Sequence, residues 1–346
     1  MNRTMSSSFS DLSCLVVGAT DPKSIGYTCA AGLQNARARV CIMGRDGKKV
    51  RTAVDKLNGE HGVVPAVIAE AKARTDAMFA AYSAAYSANG SAEQRAIEVE
   101  RIVGDLKKQE TSARPTEAEQ RAIAVEGIVG DLKKPETMAS LLDHAVHLLG
   151  GTLDVLIISV GNGKSEYLGL DPKNAEDYKM SYDVAVLSPQ FLIDAAAPYL
   201  MKSTQKGGGS VVVVGTMAPM VPWPDTAPYN YARAAQNCMV ETMAFRHRLD
   251  NIRVNAVLPS CIHTGALDLM AAKKGKTAEE YAKLRAEAQP TGRNGKPEEV
   301  ADAALFLAGS GASYMTGELM KVDGGLHLSS WFNRPKITKE FVGGTD

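Results

Sequence analysis

CLVVGATDPKSIGYTCAAGLQN, Cys14–Asn35, is the stretch on which the fold turns. Cys14–Val17 is a short apolar run with the length of a buried strand. Gly18–Gly26 is a turn, and Tyr27–Asn35 reads as a helix. A glycine-containing turn between the first strand and the first helix brings backbone N–H groups and a positive helix end to one point. That is where phosphate binds in α/β proteins. Working outward, Val40–Met43 is a second apolar run. It ends at Gly44-Arg45-Asp46 and leads into a helix over Lys48–Leu57. Strand, helix, strand and helix at this spacing predict a parallel sheet with right-handed crossovers.

The alternation then breaks. Residues 62–118 are Ala-rich and polar, with helical character. EQRAIEVERIVGDLKKQET (93–111) returns 26 residues later as EQRAIAVEGIVGDLKKPET (119–137), 16 of 19 positions matching. Two copies are too few for a solenoid. The second copy is therefore expected to supply the third strand, and the first to belong to an inserted helical segment. From 136 the rhythm is regular: helix Glu136–Leu149, strand Leu153–Val160, helix around Ala185–Met201, strand Ser210–Val214, a long helix from near Tyr229, and strand Arg253–Leu258. A polar, lid-like stretch (265–290), helix Pro297–Ala308 and strand Leu319–Val322 complete it. About seven parallel strands with intervening helices define a doubly wound α/β sheet of the Rossmann type. Residues 1–346 are read as one such domain, with 326–346 as a tail.

Bulk properties narrow the function. Lys+Arg and Asp+Glu both total 39, so no global field favours nucleic acid or an anionic membrane. No apolar run reaches the roughly 18 residues of a membrane span, and the run at Cys14–Val17 is too short for a secretory signal. The five cysteines are odd in number and none forms a CxxC pair, which reads as reduced thiols in the cytoplasm. His144 and His147 share a helix face but have no nearby third ligand, so no metal site is expected.

Several blocks in order resemble the short-chain dehydrogenase/reductase superfamily: the turn Gly18–Gly26, then GGSVVVVGTMAP, PYNYARAA, NIRVNAVLPSCIHT and the segment from Pro290 to Gly325. The likeness covers most of the chain except roughly 62–118 and the tail. It implies a nicotinamide cofactor on Gly18, Thr20, Ser24, Ile25 and Gly26. The turn is two residues longer than the usual TGxxxGIG, with Ser24 at the middle glycine, a form similar to the divergent enoyl-reductase branch. At the end of strand two an acid would bind an adenosine ribose hydroxyl, whereas Arg suits a 2′-phosphate. Arg45, with Lys23 in the turn, therefore points to NADP(H). Asp46 would reverse this if it turned inward. Asp131 and Leu132 resemble the adenine-contacting pair, and Gly161 is what survives of the family's NNAG. Ile262 and Thr264 match residues that contact the nicotinamide.

Carbonyl reduction needs a hydride and a proton. A phenol can give the proton, and a neighbouring cation lowers its pKa toward the working range. The resemblance assigns the proton to Tyr229, carbonyl polarisation to Thr216 thirteen residues earlier, and ribose binding to Arg233 four residues later. Arg233 replaces the family's Lys, and Ala185 replaces a helix Asn that anchors a proton-relay water. Tyr231 is a rival without a cation one turn on. Cys261 and His263 are read as incidental. Met217, Met220 and Trp223 follow strand five beside the expected carbonyl position. Together they suit a small apolar or aromatic ketone, under a lid formed by 265–290.

The expected function is NADPH-dependent ketone reduction. Two alternatives stay open: a weakened or repurposed homologue acting as a cofactor-binding partner subunit or in a non-redox reaction, and an enoyl reductase. The divergent branch places its Lys seven residues after its Tyr, and here that position is Gln236. By resemblance, a homodimer or homotetramer is expected, paired through the helices before and after strand five.

Overall fold

The computed structural model describes residues 9–60, 73, 76, 80, 124–131, 137–161, 171, 173–221 and 226–328. Seven parallel strands lie in the order β3-β2-β1-β4-β5-β6-β7. They are β1 (Ser13–Val17), β2 (Arg39–Gly44), β3 (Glu126–Val129), β4 (Val155–Ile158), β5 (Gly209–Val214), β6 (Ile252–Pro259) and β7 (Leu319–Val322). The helices are α1 (Ile25–Asn35), α2 (Gly47–Glu60), α3 (Met138–Leu148), α4 (Ala175–Tyr182), α5 (Ser188–Leu200), α6 (Ala227–Arg246), α7 (Gly265–Lys273), α8 (Ala278–Glu287) and α9 (Pro297–Ala308). A π-helical turn, Asp183–Leu187, joins α4 to α5. The expected doubly wound sheet is what forms.

The inner strands β1, β4 and β5 carry near-continuous apolar runs because helices cover both faces of the sheet. Leu15 and Val17 enter one core with α3, α5 and α6, while Cys14 and Val16 enter the other with α1, α2 and α9. Successive side chains of a strand point to opposite faces, so each strand feeds both. The second repeat copy does supply β3, whose Cys41↔Glu126 to Gly44↔Val129 register pairs it with β2. Where the chain re-enters the sheet, buried Asn58 clasps Val125: its Oδ1 accepts from the Val125 N–H at 2.7 Å and its Nδ2 donates to the Val125 carbonyl at 3.1 Å. The expected 62–118 helical segment lies outside the described residues except at three positions, of which Asp76 pairs with Arg51 at 2.9 Å.

On the far side of the sheet, Arg253 of β6 is buried and donates to the carbonyls of Gly207, Leu307, Ala308, Gly309 and Ala312. These include the carbonyls at the C-terminus of α9, which have no helical partner. Burial lowers the Arg253 pKa from its ordinary value. Among the described residues, no helix is long and apolar enough to cross a membrane.

Candidate active site

One cavity of about 1000 Å³ runs along the C-terminal edge of the sheet. It sits where the strand order reverses between β1 and β4, the place at which open α/β sheets bind ligands. Its first wall is the glycine turn. Gly18 has φ +89°, and a Cβ there would collide with the carbonyl of Ser159 beyond β4. Only glycine lets the turn and the strand end approach so closely. Ser24 caps α1 by accepting from the Tyr27 N–H at 3.1 Å, and Ser24 and Ile25 face the cavity at the positive helix end. Gly26 packs behind them, where a Cβ would come within 2.8 Å of the Gly18 carbonyl.

Gly18, Thr20, Arg45, Asp131, Gly161, Ile262 and Thr264 all line the cavity. Lys23 does not. Its ammonium pairs with Asp268 of α7 at 2.8 Å, a contact that raises its pKa, so it ties the turn to the lid instead of reaching a phosphate. Lys49 of α2, which the sequence reading passed over, lines the cavity beside Arg45. The Asp46 carboxylate accepts from the backbone N–H groups of Lys48 and Lys49 at 3.0 and 3.2 Å, so one of its oxygens caps the helix. Leu132 lies outside the described residues.

At the other end, Thr216, Tyr229 and Arg233 line the same cavity. Thr216 follows β5 and accepts from the Ala218 N–H at 3.2 Å. Tyr229 and Arg233 are one turn apart on α6, and both are buried. The guanidinium carbon lies 5.1 Å from the centre of the Tyr229 ring. Arg233 Nη1 donates to Gln236 Oε1 at 2.9 Å, and Nη2 donates to the Val160 carbonyl at 3.3 Å. Rival Tyr231 is 65% exposed and stacks obliquely on Tyr178.

Met217 is buried in the cavity wall, whereas Met220 is 43% exposed and does not line the cavity. Trp223 lies outside the described residues. The lid is two helices, α7 and α8, which contribute Leu267, Met270, Tyr281 and Arg285. Tyr281 and Arg285 stand at i, i+4, so a helical reading of the lid would have put both on one face. Burial pushes the Cys261 thiol and the Tyr281 phenol up, against the nearby Arg285 charge.

Comparison with known proteins places this geometry. A family model described as enoyl-(acyl carrier protein) reductase matches residues 88–327, more than half of the chain. The 7alpha-hydroxysteroid dehydrogenase of Escherichia coli is 30% identical over 188 residues, 54% of this chain and 69% of that one. Glucose 1-dehydrogenase 2 of Bacillus subtilis is 33% identical over 189 residues, 55% and 69% of the two chains. In structure, the L-sorbose reductase of Gluconobacter frateurii, complexed with NADPH and L-sorbose, superposes with a TM-score of 0.67. It is 19% identical and covers 94% of this chain and 100% of that one, a likeness of fold. The chain belongs to the short-chain dehydrogenase/reductase superfamily and is an oxidoreductase of that class.

Proposed function

We propose that the protein reduces the ketone of a small apolar or aromatic substrate with NADPH, Tyr229 giving the proton. The observation that carries this is the Tyr229–Arg233 stack, 5.1 Å from guanidinium carbon to ring centre, on the floor of the cavity that Thr216 also lines. When bound, a reduced nicotinamide would supply the hydride. Thr216 donates its hydroxyl hydrogen to the substrate carbonyl and holds it against the phenol. Tyr229 then transfers its proton to the developing alkoxide, and Arg233 keeps positive charge beside the phenolate left behind. Met217, Leu267 and Met270 give the pocket its apolar wall, which excludes water from the reacting carbonyl.

The cavity suits the cofactor. The glycine turn approaches the β4 end as a pyrophosphate cradle requires, and the α1 N-terminus faces the same space. Two cations, Arg45 and Lys49, line the β2 end together with Asp46, one of whose carboxylate oxygens is engaged at the start of α2. That pairing supports a 2′-phosphate, with Lys49 in the role first assigned to Lys23. An enoyl substrate is less well supported, because the cation stands at Arg233 and the residue seven beyond Tyr229 is Gln236.

Calorimetric titration with NADPH and with NADH, followed by turnover of aromatic ketones such as benzil, tests the reading. Micromolar NADPH affinity, weaker NADH binding and a loss of about 10²–10⁴ in kcat for Tyr229→Phe are expected. Full turnover by Tyr229→Phe sinks the proton-donor role. Binding of neither cofactor sinks the reductase altogether.

A further inference from the structure

Gln236 lies almost one turn past Arg233 on α6, is 1% exposed, and does two things at once. Its Oε1 accepts from Arg233 Nη1 at 2.9 Å, and its Nε2 donates to the backbone carbonyl of Ala185 at 2.7 Å. The second bond has its cause in the sequence of the neighbouring helix. Four residues after Ala185 stands Pro189, which has no N–H to return to that carbonyl. The helix answers with the π turn Asp183–Leu187, and the Ala185 carbonyl takes its donor from Gln236 instead. The amide also sits directly behind the carbonyl-binding edge: a Cβ on Gly215, the residue before Thr216, would lie 3.5 Å from Oε1.

We propose that Gln236 is a positioning residue that fixes the plane of the Arg233 guanidinium toward Tyr229 and the cofactor cavity. Arg carries five donors on a planar fork and needs fixed acceptors to choose one orientation. Here the acceptors come from two different elements. One is the Val160 carbonyl just past β4, bonded to Nη2 at 3.3 Å, and the other is Gln236, which the π turn itself holds in place. Ala185 has no side chain that could reach the guanidinium, and the helix reaches Arg233 through this amide. Pro189, Gln236 and Arg233 thus form one device in which the proline frees a carbonyl, the carbonyl orients the amide, and the amide orients the cation. The inference rests on the proposed role of Tyr229 and Arg233.

A double-mutant cycle on NADPH affinity tests it without requiring turnover. NADPH is titrated into the wild-type chain, Gln236→Met, Arg233→Met and the double variant. Met matches Gln in shape and removes both bonds. Gln236→Met is expected to weaken NADPH about fivefold or more, and in the Arg233→Met background it weakens NADPH no further. A Gln236 that merely supports the fold gives equal losses in both backgrounds, which overturns the proposal, as does unchanged affinity. Should Gln236→Met fail to fold, Gln236→Leu takes its place in the same cycle: a loss of about fivefold or more that vanishes in the Arg233→Met background supports the proposal, and equal losses in both backgrounds overturn it. Wild-type protein that binds no NADPH refutes the reading of the cavity itself, whereas binding without coupling refutes only the role of Gln236.

Discussion

The choice between the two cofactors comes down to a few side chains at the end of β2. Arg45, Asp46 and Lys49 all line the cavity, and Asp46 accepts two backbone hydrogen bonds at the start of α2 through one carboxylate oxygen. A charge-assisted bond from Arg to phosphate is worth about 1.5–3 kcal/mol, or roughly ten- to a hundredfold in affinity. Arg45→Ala is therefore expected to weaken NADPH by about that factor and to leave NADH within threefold, measured by calorimetry on one preparation. Equal losses for both cofactors would mean that Arg45 supports the loop and reads no phosphate. Lys49→Ala is expected to act in the same direction with a smaller effect, because an ammonium makes a single-point contact. Arg253 shows the opposite use of the same side chain: its fork closes carbonyls around the end of α9 and does not line the cavity. Arg253→Met leaves those buried acceptors without donors. A loss of about 3 kcal/mol in stability is expected, with a fall in Tm of several degrees and little change in NADPH affinity in the folded protein.

At the scale of elements, α9 shows how a helix start can couple stability to pH. Glu299 accepts from the Lys296 N–H at 2.8 Å and from Arg293 at 2.6 Å. Hydrogen bonds from Arg293 and then from the Lys296 backbone hold its carboxyl down to about 2. An unfolded Glu titrates near 4.3. What Glu299 adds to stability is therefore fully present above that pH and is lost as pH falls toward 2. Melting curves between pH 5 and 2.5 should show Glu299→Gln with a shallower acid decline than wild type. Parallel declines would show that other carboxylates govern acid unfolding. The start of α9 was legible at Pro297, as the β1 turn was in its glycines, because a helix start and a close backbone approach depend on a few adjacent residues. The residues read as the two ends of the site, Gly18, Ser24 and Ile25 at one and Thr216, Tyr229 and Arg233 at the other, all line one cavity. Contacts between distant segments were hidden. Lys23 was read as a phosphate ligand because nothing near it in sequence reveals Asp268, 245 residues away. The helix before β5 was read as one piece from Ala185, yet it begins at Ala175 and changes pitch at Asp183–Leu187. Pro189 signalled the break, but its consequence needed Gln236 from another helix to become visible.

For the whole molecule, one helix face joins the site to its surroundings. The inner side of α6 carries Tyr229, Arg233 and Gln236, all buried. Its outer side exposes Tyr231, Cys238 and Phe245 at intervals of seven residues, with Leu249 just beyond. Seven residues is close to two helical turns, so the three form one stripe. Phe191 on α5 is also exposed, and the α6 end is tied to α5 through Arg246 and Asp194 at 3.4 Å. An exposed apolar stripe of this length marks an interface, and a two-fold axis would set the same face of a second copy against it. We propose a homodimer through α5 and α6. Light scattering should give twice the chain mass for wild type and the single mass for Phe245→Glu, which places unpaired charge in the apolar stripe. The wild-type Tm should also rise with protein concentration, while that of the variant should not. A wild-type chain of single mass would rule the interface out. A dimeric Phe245→Glu would move it to another face. Because the paired face and the Tyr229–Arg233 face belong to one helix, the monomeric variant should also bind NADPH several-fold more weakly, although Phe245 lies about four turns of helix from Tyr229.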